Sequence, residues 1–299
     1  MLQKFDPRNK DILIWVKDSL YARNEAKVSV FDSVVQGGDA VWEGLRLYPE
    51  GLLMMDRHLD RLMDSAKAMH FEHIPPRDEI IDAIRSTIQA NEMTKNVHIR
   101  LTLTRGEKIT SGMDPRLNQS GSCLIIVPEY KPPVYDNENG IKVITSSIRR
   151  NSPNHLDSKI HHNNLINNIL AKIQSNVAGA DAALMLDLYG YVAELNGTNI
   201  FMSRKGVVYT PHADACLHGI TRGLVIEMAE ELGVKMVKKN ISLTEIYTAD
   251  EVFCTGTMGE LTPINNIDGR IIENKSGIKV MEDLINAFED RIPNLCIAI

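Results

Sequence analysis

The chain has few cysteines, and none of them are paired at a spacing that suits a metal or a redox centre. Its 299 residues include only Cys123, Cys216, Cys254 and Cys296, which stand far apart along the sequence. Without a CxxC pair, neither a thiolate zinc site nor a disulfide framework is indicated. We therefore expect free, mostly buried thiols in the reducing environment of the cytoplasm.

Long apolar runs and an excess of positive charge are also missing. No run approaches the roughly 20 apolar residues that a membrane-spanning helix needs, and the opening MLQKFDPRNKD lacks the apolar core of a signal peptide. The formal net charge is −6 and the pI about 5.9, which argues against a nucleic-acid or anionic-membrane surface. With 43% hydrophobic and 24% charged residues, the composition is that of an ordinary globular protein.

Several common active-site signatures are absent as well. The chain contains neither the GxGxxG nor the GxxxxGK[ST] pattern of nucleotide-binding loops, and no GxSxG element of a serine hydrolase. His161 and His162 are adjacent, but no HxxxH spacing or nearby carboxylate pattern accompanies them. We therefore expect no metal site.

Hydrophobic periodicity predicts two α/β domains with mixed sheets, of the α+β or α/β class. Segment 128–140 (PEYKPPVYDNENG) is rich in proline and turn-forming residues, so we predict an interdomain linker there. The predicted domains are a smaller one over 1–127 and a larger one over 141–299. Predicted strands cover 12–16, 44–48, 51–54, 96–105, 123–127, 141–146, 182–187, 199–203, 207–210 and 251–254. Predicted helices cover 56–69 with Asp56 as cap, 76–91, 164–177, 221–232 and 278–288.

The stretch that follows Lys159 carries the most chemical information. The lysine precedes a helical pattern, and Glu194 stands after a strand-like run, just before the turn Asn-Gly-Thr-Asn. A lysine and a carboxylate on neighbouring elements can hold a pyridine aldehyde, the lysine as a Schiff base and the carboxylate on the ring nitrogen. Taken alone, Lys159 is unremarkable, since most lysines are surface charges, whereas Glu194 is more unusual and its alternative is a surface carboxylate beside a hairpin.

Two segments have the chemistry of a phosphate site. Residues 219–222 (GITR) open a predicted helix, where free backbone N–H groups and the helix dipole favour an anion. The alternative is that Thr221 merely caps the helix. Residues 255–259 (TGTMG) follow a strand and expose amides and hydroxyls, although a plain tight turn is the alternative. Arg57 and Arg61 lie one turn apart on the first amphipathic helix. Either could bind a phosphate, and the alternative for each is an ordinary solvated charge.

Together these segments carry a family likeness. In chain order they are FDSVVQGGDAVWEGLRLY (31–48), RHLDRL (57–62), HIR (98–100), VAELNGTNIF (192–201), GITR (219–222) and GTMGELTP (256–263). The set, spread over nearly the whole chain, resembles the fold-type IV, or class IV, aminotransferases that use pyridoxal 5′-phosphate (PLP). The most similar group is the branched-chain amino acid aminotransferases.

The resemblance implies a role for each matching residue. Lys159 would form the Schiff base with PLP and then move a proton, and Glu194 would hold the pyridine nitrogen. The phosphate ligands would be Arg61, Ile220, Thr221 and Thr257. The family also implies a homodimer, with the active site near the subunit interface.

Several positions depart from the family pattern. The tyrosine expected soon after the lysine is missing from Asn163-Asn164-Leu165, and Asn164 would act as donor to the cofactor instead. Leu195 replaces a glycine, and Gly37-Gly38 replaces a Tyr-Gly pair. The substrate pocket would include Trp42, Arg46, His98, Arg100 and Met258. Arg46 and Arg100 would meet a substrate carboxylate, and an interstrand ion pair is the alternative for Arg46.

The predicted function is therefore transamination. A branched-chain L-amino acid would donate its amino group to 2-oxoglutarate in a ping-pong cycle. Within the same fold, a D-amino acid aminotransferase and an aminodeoxychorismate lyase are the alternatives. A non-catalytic binding protein is a third alternative, against which the presence of both Lys159 and Glu194 argues.

Overall fold

The structure is a computed structural model that describes residues 3–299, so the first two residues of the amino-terminal stretch lie outside it. The described chain forms two compact units. One comprises residues 133–159 and 165–292, and we call it the lysine unit because it contains Lys159. The other comprises residues 3–132, 160–164 and 293–299, and we call it the tryptophan unit because it contains Trp42.

Both units contain helices and strands. The α-helices are α1 (Ser33–Gly37), α2 (Met55–Ala68), α3 (Arg77–Ala90), α4 (Ile166–Val177), α5 (Ile220–Glu231), α6 (Leu243–Tyr247) and α7 (Val280–Leu295). The first strands are β1 (Leu13–Val16), β2 (Ser19–Ala22), β3 (Ala40–Tyr48), β4 (Gly51–Leu53), β5 (Val97–Thr104), β6 (Cys123–Tyr130), β7 (Ile141–Thr145) and β8 (Ala182–Leu186). The later strands are β9 (Val192–Leu195), β10 (Asn199–Arg204), β11 (Val207–Thr210), β12 (Met236–Lys238), β13 (Glu251–Gly256), β14 (Glu260–Ile267), β15 (Arg270–Ile271) and β16 (Cys296–Ile297).

The tryptophan unit is built on a seven-stranded sheet in the order β16-β4-β3-β5-β6-β1-β2, with antiparallel neighbours. The predicted alternation of β5 is confirmed, because Val97, Ile99, Leu101 and Leu103 are fully buried in one hydrophobic core. Leu59 and Leu62 of α2 belong to the same core. The apolar stripe of α2 thus covers one face of the sheet, as helical spacing predicts.

The cap predicted for α2 is wrong. The N-cap is Met54, in the left-handed conformation with φ of 49°, and its side chain makes no capping hydrogen bond. Asp56 lies inside the first turn instead, where a carboxylate favours the positive end of the helix dipole. The helix therefore begins one residue before the predicted start.

The lysine unit has a mixed sheet in the order β12-β11-β10-β13-β14-β7-β8-β9, with β15 added beside β14. The pairs β7–β8, β7–β14 and β11–β12 are parallel, whereas β8–β9, β10–β13 and β13–β14 are antiparallel. The two-domain α+β fold class predicted from the sequence is confirmed. The mixed pairing agrees with strands and helices that do not alternate regularly.

The predicted linker begins inside a strand. Strand β6 continues through Pro128 to Tyr130, and Pro128 stands opposite Ile99 in the register with β5. On its other side, β1 pairs with β6 only at Ile125 and Ile126, so no partner there requires an N–H from Pro128. The chain passes from one unit to the other between residues 132 and 133, and the predicted domain bounds remain a prediction.

The sequence analysis did not predict several elements, most of which are short. Strands β2, β9, β12, β14, β15 and β16 and helices α1 and α6 were not predicted. Most are two to five residues long, too short for a hydrophobic period, and β14 carries Pro263 and two asparagines. Among residues 3–299, no helix is both long enough and apolar enough to span a membrane.

Candidate active site

Lys159 lies in the loop before α4, where Asp157 accepts hydrogen bonds from both its backbone and its side chain. The Asp157 carboxylate accepts the Lys159 backbone N–H at 3.0 Å and the side-chain Nζ at 3.2 Å. Burial raises the pKa of Asp157, but the two hydrogen bonds and the charge of Lys159 outweigh it, so the pKa is lowered. About a third of each side chain is exposed, so the lysine is within reach of a small molecule. The sequence analysis did not identify Asp157, although a carboxylate two residues before a lysine is a recognisable Asx-turn spacing.

Glu194 is a buried carboxylate in the middle of β9, not a surface residue. Its Oε1 accepts a hydrogen bond from Nε of Arg150 at 2.5 Å, and its Oε2 accepts one from Nδ2 of Asn199 at 3.1 Å. The Leu217 amide also points at it, at 3.3 Å from Oε2. Burial raises the pKa of Glu194, and Arg150, Leu217 and Arg222 oppose that rise. The alternative of an exposed hairpin carboxylate is thus wrong.

Asn199 links Glu194 to the start of helix α5. The same Nδ2 group that donates to Glu194 also donates to the Leu217 carbonyl, at 2.9 Å. A Cβ on Gly219 would stand only 2.0 Å from Oδ1 of Asn199, so this position has room only for glycine. The close approach fixes the helix start beside the buried carboxylate. Sequence reasoning missed the role of Arg150, because its partner is 44 positions away along the chain, and that of Asn199, which is only five residues from Glu194 but was noticed only as part of a motif.

Helix α5 begins without a side-chain cap. Its N-cap is Gly219, which has no side chain with which to cap the first turn. The alternative that Thr221 caps the helix is therefore wrong, since Thr221 is buried in the first turn. Uncapped amides and the positive end of the helix dipole are the features that bind phosphate. Ile220, Thr221 and Arg222 stand in this turn.

The second predicted phosphate segment lies next to the first. Asn199 of β10 is directly opposite Thr255 of β13, so the turn after β13 adjoins the residues around Glu194. Oγ1 of Thr255 is buried and has no hydrogen-bond partner among residues 3–299. Thr257 and Met258 follow in the turn, which closes with a hydrogen bond from the Gly259 N–H to the Gly256 carbonyl at 3.1 Å.

The pKa of the buried Cys216 thiol depends on several of these charges. Burial and then the charge of Glu194 raise the pKa of this thiol to about 12, while Arg222, Arg150 and Lys159 oppose the rise. Lys159 and Glu194 therefore act on one buried sulfur, and the lysine unit brings together the two residues that the sequence analysis singled out. All four cysteines are free thiols, as predicted, and only Cys296 is not fully buried.

In the tryptophan unit, Arg61 is bound to a carboxylate that was not predicted. Its Nε and Nη2 each donate to Glu43 at 2.7 Å, and Glu43 is completely buried. His58 and His161 bind the same carboxylate through their Nδ1 atoms. The WEGLR segment was the available signal, since a carboxylate inside an apolar strand needs a partner. The phosphate role of Arg61 remains a prediction.

The four predicted pocket residues of β3 and β5 share one face of the sheet. Gly44 is opposite Arg100, Arg46 is opposite His98, and Trp42 precedes them on β3. The Arg100 guanidinium carbon lies 3.4 Å from the centroid of the Trp42 ring. Burial lowers the pKa of His98 to about 3, with help from the charges of Lys131, Arg100 and Arg46. Burial also lowers the pKa of Arg100 to about 10.

Asn164, the predicted replacement for the missing tyrosine, is tied to helix α1. Its Nδ2 donates to the carbonyl of Gly38 at 3.0 Å, and its backbone N–H donates to Nδ1 of His162 at 3.1 Å. Gly38 adopts the left-handed conformation that ends α1. One amide hydrogen of Asn164 thus has a backbone partner, and its role toward the cofactor remains a prediction.

Comparison with known proteins identifies the family. The family profile described as "Amino-transferase class IV" matches residues 40–267. The chain belongs to this family, which confirms the resemblance seen in its motifs.

Curated relatives agree. Branched-chain-amino-acid aminotransferase-like protein 1 of Arabidopsis thaliana is 56% identical over 95% of this chain but 51% of its own length. The chain thus spans about half of that plant relative. The putative branched-chain-amino-acid aminotransferase of Methanocaldococcus jannaschii is 39% identical, over 93% of this chain and 95% of its own.

Solved structures agree on the fold. The branched-chain amino acid aminotransferase of Escherichia coli superimposes with a TM-score of 0.88 at 28% identity, over 96% of this chain and 97% of that one. The branched-chain aminotransferase of Thermoproteus uzoniensis, described with norvaline, gives 0.86 at 28% identity, over 95% of both chains.

Proposed function

We propose that this protein is a PLP-dependent aminotransferase that transfers the amino group of a branched-chain L-amino acid to 2-oxoglutarate in a ping-pong cycle. The single observation that carries the proposal is the buried Glu194, held by Arg150 and Asn199 beside the uncapped start of α5. Among related structures, one branched-chain enzyme is described with pyridoxamine 5′-phosphate, and a Thermobaculum terrenum enzyme is described in a PLP form.

The residues of the lysine unit fit the chemistry of PLP. Two buried donors there, Nη1 of Arg150 and Oγ1 of Thr255, have no hydrogen-bond partner among residues 3–299. Buried polar groups seldom lack a partner, and each such group is a candidate for an absent ligand. Glu194 would hold the ring nitrogen. The amides of Ile220 and Thr221 and the hydroxyl of Thr257 would hold the phosphate.

When bound, PLP supplies an aldehyde that takes up an amino group and a ring that stores an electron pair. The protein supplies the groups that bind it and move protons. Burial raises the pKa of Glu194 and the charge of Arg150 opposes that rise; in its ionised form this carboxylate would keep the ring nitrogen protonated. Lys159 would hold the cofactor covalently between turnovers, and its amine would carry the proton to and from the substrate carbon. Asp157 lies where it would orient that amine.

The substrate proposal is supported by the tryptophan unit and by the relatives. Trp42 is an apolar surface suited to an aliphatic side chain, and Arg100 is a cation suited to a carboxylate. Related structures are described with norvaline and with 4-methylvaleric acid. We also propose a cytoplasmic homodimer. Helix α4 supports the dimer, because Ile166, Ile169, Ile173 and Val177 form an apolar stripe at helical spacing and are each at least half exposed.

A reduction experiment tests the cofactor and its lysine. Purified protein incubated with PLP should acquire visible absorbance, and borohydride should then fix the cofactor on the peptide that contains Lys159. In the Lys159→Ala variant, borohydride should attach no cofactor to the protein. Lys172→Ala removes a lysine from α4, and its labelling by reduced PLP should equal that of the wild type. A wild-type protein that stays colourless with added PLP would overturn the proposal.

A panel of substrates tests the proposed amino-acid specificity. L- and D-amino acids should be offered with 2-oxoglutarate, and a branched-chain L-amino acid should give the highest kcat/KM. Preference for the D-series would instead identify a D-amino acid aminotransferase, and pyruvate release from aminodeoxychorismate would identify a lyase.

A further inference from the structure

The carboxylate of Glu43 is the most highly coordinated buried charge in the tryptophan unit. Its two oxygens accept four hydrogen bonds, two from Arg61 at 2.7 Å, one from His58 at 2.6 Å and one from His161 at 3.1 Å. Burial alone would raise the pKa of Glu43, but the hydrogen bonds from His161 and Arg61 and the charge of Arg61 outweigh it and hold that pKa well below its usual value. Glu43 is therefore ionised and acts only as an acceptor.

This arrangement determines the state of the His161 ring. Burial lowers the pKa of His161 to about 4, against the opposing effect of Glu43, so the ring is neutral near pH 7. A neutral imidazole has one N–H, and the carboxylate can only accept, so the hydrogen must be on Nδ1. The orientation of the ring follows, because Nδ1 has to face Glu43.

The residues around His161 are attached to β3 like an additional strand. The Trp42 N–H donates to the His161 carbonyl and the Asn163 N–H donates to the Ala40 carbonyl, each at 2.9 Å. The His161 N–H donates to Oγ of Ser65 on α2 at 3.1 Å. The peptide segment that directly follows Lys159 is thus fixed at both its backbone and its side chain.

The His161 ring supports Trp42, and Trp42 supports Arg100. The centroids of the His161 and Trp42 rings are 4.1 Å apart with a tilt of 37°. The Trp42 indole donates its Nε1–H to the His162 carbonyl at 3.2 Å, which prevents rotation of the ring. Arg100 packs on Trp42 at 3.4 Å from the centroid and donates to Oδ1 of Asn163 at 3.3 Å.

We propose that His161 is a positioning residue for substrate binding: its ring holds the Trp42 indole, and the indole holds Arg100 where a substrate carboxylate is received. This rests on the proposed function, since it deepens the role of two residues predicted to line the substrate pocket. The alternative is that His161 only satisfies Glu43. Because Glu43 has three other donors, loss of one hydrogen bond and loss of the ring should have different effects.

Two substitutions separate those effects. His161→Asn keeps an N–H at the position of Nδ1, because both nitrogens are one bond beyond Cγ, but it removes the ring from Trp42. His161→Phe keeps a ring against Trp42 and removes the N–H. His70→Asn is the control, since His70 is exposed at 92% and its φ of 53° suits asparagine.

The readout is Trp42 itself. In a Trp15→Phe background Trp42 is the sole tryptophan of the chain, so its emission reports its surroundings. The holoenzyme is titrated with 4-methylvalerate, an aliphatic carboxylate that has no amino group to transfer. His161→Asn should shift the emission to longer wavelength and raise the Kd about tenfold, the equivalent of one lost aromatic contact. The Kd of His161→Phe and of His70→Asn should stay within about twofold of the parent.

The outcomes are distinguishable. If His161→Asn keeps the parent emission and Kd, or if His161→Phe raises the Kd as much as His161→Asn does, the positioning role is wrong. Borohydride labelling of Lys159 in the same preparations tests the proposed function separately. Normal labelling with an unchanged Kd would overturn only the role of His161, and absent labelling in the parent would overturn the proposed function.

Discussion

Nε of Arg150 lies 2.5 Å from Oε1 of Glu194, and both side chains are buried. The two residues are 44 positions apart in the sequence. Their contact converts a carboxylate that burial alone would neutralise into one with a fixed cationic partner. The experimental consequences of this pair and of the contacts around it can each be measured separately.

Removal of the arginine should strongly destabilise the lysine unit. Arg150→Met leaves Glu194 buried without its cation, and breaking such a pair costs about 3–5 kcal/mol. Urea unfolding of the protein without cofactor should show this loss in the free energy of unfolding. Arg149→Met is the matched control, since Arg149 is exposed, and it should change that free energy by less than about 0.5 kcal/mol. Equal unfolding curves for the two variants would contradict the role of the buried pair.

A methyl group at Gly219 should weaken cofactor binding. The Cβ of Gly219→Ala would stand 2.0 Å from Oδ1 of Asn199, so either the start of α5 or the Asn199 amide that binds Glu194 must shift. We expect the Kd for PLP, measured by equilibrium dialysis, to rise about tenfold or more, equivalent to at least about 1.4 kcal/mol.

The control for this substitution lies one turn further along the helix. A Cβ on Gly223 meets nothing within 4 Å, so Gly223→Ala should leave the Kd unchanged and raise helix stability by about 0.5–1 kcal/mol. An unaltered Kd in Gly219→Ala would show that the close approach to Asn199 does not position the phosphate site.

Acid should destabilise the tryptophan unit through His98. Its pKa is lowered from 6.5 to about 3 in the folded protein, so the unfolded chain binds the proton first as pH falls. The free energy of unfolding should therefore decrease below pH 6.5, by about 1.4 kcal/mol per pH unit for this one group, until pH approaches 3. In His98→Gln the slope between pH 6 and pH 4 should be smaller by about that amount. A slope identical to that of the wild type would mean that His98 is not buried in its neutral form.

Charge on helix α4 should prevent the proposed self-association. Ile169 and Ile173 are 52% and 50% exposed on the apolar stripe of α4, and the double change to lysine would place two cations in an apolar interface. Sedimentation should show a dimer for the parent and a monomer for the variant. Ile271→Lys changes an isoleucine that is 64% exposed on β15, and it should leave the dimer intact. A dimer that survives the double change must use another surface.

Much of the fold followed from local patterns. The periodicity of β5 and α2 predicted both elements to within one or two residues, because each has one wholly apolar face. Several segments of two to five residues, such as β9, escaped prediction because a period is hard to recognise over one repeat. The cap at Asp56 was predicted wrongly, because the helix already begins at Met55 and Asp56 lies inside its first turn.

The residues of the candidate site also fall into those that the sequence indicated and those that it did not. Lys159, Glu194 and the segments around Thr221 and Thr257 could be found because each has a local signature or a family motif. Arg150 could not, because a hydrogen bond to a buried carboxylate leaves no pattern in the sequence around the donor, whereas Asn199 stands in the motif 192–201 and only its contact with Glu194 went unnoticed. Glu43 was noticed only as part of a motif, and its four hydrogen bonds come from residues on separate segments of the chain.

The sequence by itself determined the family, the order of the chemical segments and the alternation of buried and exposed faces, because these depend on residues close together in the chain. Only the tertiary structure decided which charges are paired. Glu194 has a buried cationic partner because Arg150 reaches it from a distant loop. His161 is neutral because it is itself buried, and its ring is oriented because Nδ1 faces Glu43. Burial and opposite charge act through space, so their balance exists only once the chain has folded.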